Sequence, residues 1–211
     1  MELTKHVHAC VTLDKGDGRL VIDPGTLTPN AADLVAGAET VLITHEHFDH
    51  FDEAVIAAAL DARPSLTVYG PPSVVERWQA RRGQVVAVAD GDRFRAAGFD
   101  VAVCGDLHAR IHRDVPLVAN VGFLVDESLY HPGDAYHVPP APVRTLLLPT
   151  SGPWTKLSEA VDYVRAVNPE QLVQIHEALL SEIGQQTMVR FLGMLSTVPL
   201  TIAGIGDTIS L

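Results

Sequence analysis

His45-Glu46-His47-Phe48-Asp49-His50 places three imidazoles and the Asp49 carboxylate within six residues. The apolar run Val41-Leu42-Ile43 precedes it and an alanine-rich, helical-looking segment follows, so the cluster sits where a strand hands over to a helix. Imidazole nitrogen and carboxylate oxygen are the donors that zinc and its first-row neighbours prefer. Alternate residues of a short loop can aim His45 and His47 at one point while Glu46 faces away. Asp49 then adds a hard anionic donor beside the softer imidazoles.

The rest of the composition narrows the class. A chain of 211 residues that is 47% hydrophobic can bury a substantial core, and it reads as one domain over residues 1–211. With 19% charged residues it is neither a disordered chain nor a solvent-laced helix. No apolar run reaches the length of a membrane span, and the start MELTKHVHAC lacks the basic-then-apolar order of a signal peptide, which points to the cytoplasm and to no membrane partner. Cys10 and Cys104 are too few for a disulfide framework and read as buried free thiols. The formal charge of −11 disfavours a nucleic-acid partner, which would need a basic footprint. Arg77, Arg81 and Arg82 are the local exception, and they read as the solvated face of a helix.

Outward from the cluster, Leu3 to Leu13 is strand-like, Lys15-Gly16-Asp17-Gly18 is a turn, and Arg19 to Asp23 returns. Asn30 caps a short helix, Thr40 to Thr44 is a buried strand, and Asp52 to Ala62 is a helix. Leu66 to Tyr69 is a strand and Ser73 to Arg82 a helix. β character then dominates through Val85–Ala89, Arg93–Ala96, Phe99–Cys104, Asn120–Val125, Ser128–His131 and Thr145–Leu148. Trp154 to Val167 is an amphipathic helix stopped by Asn168-Pro169. Gln171–Ile175 is a strand, Glu177 onward is helical, and Leu200 to Ile209 holds two short strands. Two β-rich parts that each acquire helices point to helices covering the outer faces of two packed sheets.

The spacing His45, His47, Asp49, His50 resembles the H-x-H-x-D-H motif of the metallo-β-lactamase-fold hydrolase superfamily. Val21-Ile22-Asp23-Pro24-Gly25 resembles the Asp-bearing turn before that motif. Tyr130-His131-Pro132-Gly133-Asp134 resembles the strand-to-loop that supplies a bridging carboxylate, and Val173-Gln174-Ile175-His176 the strand that delivers the last histidine. The likeness is strongest to the compact bacterial members of the sugar-lactonase and phosphodiesterase-like branch. It implies a four-layer αββα sandwich of two mixed sheets flanked by helices, with two divalent ions, zinc in the first place and manganese(II) or iron(II) as alternatives. By position, His45 and His47 would bind one ion, Asp49, His50 and His176 the other, and Asp134 both. The first ion needs a third imidazole from His108 or His112. His108 is preferred because it lies nearer the strand end, where the backbone is better fixed.

Around this set, Asp23 reads as a hydrogen-bonding brace. His8, on the first strand, reads equally as a neighbour of the site or as an ordinary core or surface histidine. His131 reads as a strand-end neighbour. His112 and His137 are candidates for substrate contact, and Arg110 and Arg113 could grip a phosphate or carboxylate. Two ions, two carboxylates and one hydroxide leave a net charge of about +1, which attracts anionic or carbonyl oxygen. The implied activity is hydrolysis of an ester, lactone, amide or phosphodiester of a small molecule, neutral or anionic, by a hydroxide held between the ions, with Asp49 orienting it and taking its proton. A metal-stabilised binding or sensor protein without turnover is the competing class. A homo-oligomer is compatible with the sequence, which gives no number of subunits.

Overall fold

The two β-rich parts of the chain each build a seven-stranded mixed sheet in the computed structural model, which describes residues 1–81 and 83–211. The first part runs β1 (Glu2–Lys5), β2 (Val11–Lys15), β3 (Gly18–Ile22), α1 (Ala31–Gly37), β4 (Thr40–Leu42), α2 (Glu53–Ala62), β5 (Thr67–Gly70), α3 (Pro72–Val75) and β6 (Val85–Ala87). The second runs β7 (Arg93–Ala96), β8 (Phe99–Cys104), β9 (Gly122–Val125), β10 (Leu129–His131), β11 (Thr145–Pro149), α4 (Leu157–Val167), β12 (Gln171–Ile175), α5 (Glu182–Leu195), β13 (Leu200–Thr201) and β14 (Thr208–Ser210). The sheet orders are β14-β1-β2-β3-β4-β5-β6 and β13-β12-β11-β10-β9-β8-β7, so the last short strand returns to the first sheet.

Alternation along the strands builds the layers. Leu42 turns inward to a core shared by both sheets, with Leu13, Leu20 and Ile22 facing Phe123, Leu147 and Val173. Its neighbours Val41 and Ile43 turn outward beneath Ile56, Leu60 and Trp78. In the second sheet Leu147 turns inward, while Leu146 and Leu148 pack against Val161, Val164 and Leu192 of the covering helices. The result is helices, sheet, sheet, helices. Cys10 and Cys104 are both buried free thiols, and burial pushes the Cys10 thiol up to about 12. Among the described residues no helix is long and apolar enough to cross a membrane.

Several expected elements are shorter than the sequence suggests. Leu3 to Leu13 is not one strand but an antiparallel pair, with Lys5 opposite Val11. His8 takes φ +62° in the connection, which His6 N–H to Cys10 O and Cys10 N–H to Val7 O close at 3.0 and 3.1 Å. His8 therefore lies in a tight loop, not on a strand. The helix expected over Ser73–Arg82 is one α turn followed by a 3₁₀ turn at Glu76–Trp78. Arg77 there pairs with Glu46 and Glu53, Arg81 pairs with Asp61, and Arg82 lies outside the described residues. α5 starts at Glu182, because Ser181 caps it through Gly184 N–H.

Candidate metal centre

Six chain segments meet where strands of both sheets end. The connection 6–10 follows β1, Asp23 follows β3, the histidine motif follows β4, His108 follows β8, Asp134 follows β10 and His176 follows β12. Val121 N–H to Thr44 O (3.0 Å) ties the two sheets together at this edge. Donor atoms of His45, His47 and His108 lie within 4.8 Å of one another, as do those of His8, Asp49, His50 and His176, and those of His45, His50 and Asp134. All seven residues expected to bind metal fall in these groups.

Several of these side chains are held from behind. Asp23, fully buried, accepts His50 Nδ1–H at 2.7 Å, which turns His50 Nε2 towards the centre. The same carboxylate accepts Thr44 N–H at 2.8 Å and Thr44 Oγ1–H at 2.7 Å, which fixes the strand end that launches the motif. Pro24-Gly25 lets the chain pass the motif closely: a Cβ on Gly25 would lie 2.0 Å from Asp49 O. Asp52 then caps α2 through Ala54 and Val55 N–H. His108 Nδ1–H donates to Ala109 O, so its Nε2 also faces inward. Glu46 turns away to Arg77 at 3.2 Å.

Asp134 sits at the junction. Its Oδ1 is 3.1 Å from His50 Nε2 and 3.1 Å from His176 Nε2, and its Oδ2 is 3.4 Å from His108 Nε2. Asn120 Oδ1 accepts Asp134 N–H at 2.9 Å, and Trp154 Nε1–H donates to Asp134 Oδ2 at 2.8 Å. Gly133, at φ +63°, has no room for a Cβ, which would meet Asn120 Oδ1 at 2.2 Å.

The electrostatics fit a cation cage. Burial alone would push the Asp134 and Asp49 carboxyls up, yet both lie well below their ordinary range. The His50 charge and the close imidazoles of His108 and His176 hold Asp134 down, and the close imidazoles of His176 and His8 hold Asp49 down. Burial likewise opposes charge on His50 and His176, but Asp134 with Asp23 raises the first and Asp134 with Asp49 the second. Burial lowers His45 and His47. Four inward atoms, His50 Nε2, His108 Nε2, Asp134 Oδ1 and His176 Nε2, are buried without any hydrogen-bond partner. Buried polar atoms are almost always paired, so four converging orphans are what a group that takes up lone pairs requires.

Other candidates lie apart. His112 is 60% exposed and bonded to its own neighbour Asp114, and it joins none of the donor groups. Arg110 and Arg113 are exposed, with Asp114 3.7 Å from the Arg113 guanidinium. His137 is half-buried against Gly105. His131 donates Nε2–H to Ala9 O at 2.9 Å and accepts Gly133 N–H at Nδ1. Thr44, Asn120 and Trp154 are site residues that the sequence reading did not single out for this work. Thr44 alone carries a sequence signal, its place directly before the motif.

A family model described as a beta-lactamase superfamily domain matches residues 2–176. The chain is similar to Protein Rv0786c of Mycobacterium tuberculosis, 37% identical over 190 residues and covering 86% of each chain. It is also similar to a UPF0173 metal-dependent hydrolase of Pyrobaculum arsenaticum, 26% identical over 197 residues, covering 83% of this chain and 84% of that one. Among solved structures, Igni18, a metallo hydrolase from the archaeon Ignicoccus hospitalis, superposes with a TM-score of 0.75 at 16% identity, over 99% of this chain and 97% of its own. At that identity the likeness concerns the fold.

Proposed function

Because this chain belongs to the beta-lactamase superfamily, we propose that its buried histidine and aspartate cage holds two divalent ions and hydrolyses an ester, lactone, amide or phosphodiester bond of a small molecule. The chain is a metal-dependent hydrolase of the metallo-β-lactamase fold. One observation carries the reading of two ions: the two oxygens of Asp134 face different donor groups, Oδ1 towards His50 and His176 and Oδ2 towards His108. His45, His47 and His108 would hold one ion, and Asp49, His50 and His176 the other. Zinc suits this imidazole-rich set best, and manganese(II) or iron(II) suit its carboxylates. Bound there, the ions supply Lewis-acid polarisation of the scissile oxygen and water that ionises near neutrality.

The chain's own residues do the rest. Asp49, 18% exposed, is the carboxylate of the cage that also meets solvent, which suits it to orient incoming water and take its proton. Asp23 and Trp154 keep the His50 ring and the Asp134 carboxylate from rotating as charge develops, and Asn120 fixes the Asp134 main chain. Arg110 and Arg113 stand free enough to meet an anionic substrate on the loop that carries His108.

The test loads purified protein with zinc or manganese and follows hydrolysis of a lactone panel and a generic phosphodiester, beside Asp134→Asn. Turnover by the wild type and its loss in the variant are expected. Tight metal uptake with no reaction across the panel would instead favour a binding or sensing role, and full activity of Asp134→Asn would remove the bridging role. Replacing Arg110 and Arg113 with alanine should impair anionic substrates more than neutral ones. Equal effects on both would dismiss the grip.

A further inference from the structure

His8 spends every polar group it has at this edge. Its N–H donates to Glu177 Oε1 at 2.9 Å, and its carbonyl accepts Lys5 Nζ at 2.9 Å and His176 N–H at 3.0 Å. Its Nδ1 accepts Ala178 N–H at 3.3 Å, and its Nε2 lies 3.1 Å from Asp49 Oδ2. Three of these five contacts come from the consecutive residues 176–178, the segment that delivers His176. The His8 ring lies over the His176 ring with centroids 3.7 Å apart.

Two roles are open to such a histidine. Its donor atom lies within 4.8 Å of those of Asp49, His50 and His176, so position alone would admit it as a fourth ligand. The Ala178 amide decides between them. A backbone N–H aimed at Nδ1 needs the lone pair there, which puts the proton of a neutral ring on Nε2. A ring nitrogen that carries a proton cannot bind a metal, but it can donate to the carboxylate it faces. We propose that His8 is a positioning residue and not a ligand: its Nε2–H fixes Asp49, and with it the geometry of the second metal group. The inference rests on the metal-site reading above.

The clamp behind His8 supports this assignment. Lys5, 2% exposed, reaches Glu177 at 3.0 Å and also bonds to His6 O and His8 O. A lysine and a glutamate taken out of water need such close pairing to be tolerated. The pair binds the 6–10 connection to the turn after β12, so His8 and His176, both at positive φ (+62° and +58°), are held against each other. Asp49 and His176 come from different sheets, and His8 touches both.

The experiment uses the full chain with ¹⁵N-labelled histidine. In metal-free protein, two-bond ¹H–¹⁵N correlations should show His8 protonated at Nε2 and bare at Nδ1. On addition of zinc alone, the ligand imidazoles should shift while His8 keeps its Nε2 proton. In chelator competition, His8→Ala should reach the wild-type zinc stoichiometry with an affinity roughly 10- to 100-fold weaker for the less tightly held ion. His8→Gln, which retains an N–H donor, should recover most of that loss. A proton on Nδ1, loss of the Nε2 proton on zinc loading, or loss of one whole zinc equivalent in His8→Ala would each overturn the proposal. Should the wild type take up no zinc, the metal-site reading fails, while the metal-free spectrum still decides whether His8 donates to Asp49.

Discussion

Trp154 donates its indole N–H to Asp134 Oδ2 at 2.8 Å, joining the lead-in to α4 to the carboxylate at the junction of both donor groups. Trp154 is 7% exposed and packs edge-on against Tyr136 with centroids 4.9 Å apart, so the donor cannot swing away. An aromatic residue that would fill a core by its shape alone is used here for its one polar atom.

Trp154→Phe keeps the ring and removes that atom. The metal-free variant should lose about 1–3 kcal/mol, the cost of leaving a buried charged acceptor short of a donor. Metal affinity should fall on the order of tenfold, since Asp134 is then free to rotate. Urea melts in chelator and competition titrations measure the two effects, and no change in either would reduce Trp154 to packing.

Asp23→Asn tests the brace behind His50. The carboxylate accepts Thr44 N–H on one oxygen and His50 Nδ1–H on the other. An amide has only one oxygen, so its NH₂ must face one of these two donors in either orientation. The variant should be less stable by roughly 1–3 kcal/mol and bind metal 10- to 100-fold more weakly. Wild-type melting and wild-type affinity together would contradict the arrangement.

Acid should compete with metal at this site, and the sign follows from the two raised histidines. Asp134 and Asp23 keep His50 protonated above its ordinary range despite burial, and Asp134 and Asp49 do the same for His176. Metal needs both Nε2 atoms bare, so loading the cage near neutral pH must expel protons. Apparent affinity should therefore rise with pH through and above the ordinary histidine value of 6.5. Calorimetric titration in two buffers of different ionisation enthalpy counts the released protons. A count of zero at neutral pH would show that the carboxylates do not hold those protons.

The order of elements, two β-rich parts that each acquire helices, made the two packed sheets legible, whereas the place of the loops at one edge followed from their chemistry and not from periodicity. Contiguous chemistry was legible too: His45, His47, Asp49 and His50 stand together in six residues. His108 against His112 was not, because both lie in one irregular loop. What separates them is the bridge of Leu107 to Ala119 and the bond from His108 N–H to Val118 O, after which the loop leaves for solvent. Lys5 was equally hidden. A lysine in an edge-like strand reads as exposed, and only its partner 172 residues away explains its burial.

Gly25 separates a structural demand from a local preference. A Cβ there would fall 2.0 Å from Asp49 O, 2.2 Å from Asp49 C and 2.6 Å from His50 N, all backbone atoms of the histidine-motif loop. None of them can give way as a flexible side chain could, so Gly25→Ala must displace the motif or the Asp23 turn. Gly16 offers the contrast: at φ +60° in the β2–β3 turn it has nothing within 4 Å of a Cβ, so alanine there costs only backbone strain of about 1 kcal/mol. Gly16→Ala should therefore keep full metal uptake with a slightly lower melting temperature. Gly25→Ala should lose metal uptake whether or not it still folds, as followed by circular dichroism beside the titration. Equal metal uptake by the two variants would mean that the close passage of Gly25 over Asp49 does not hold the histidine-motif loop in place.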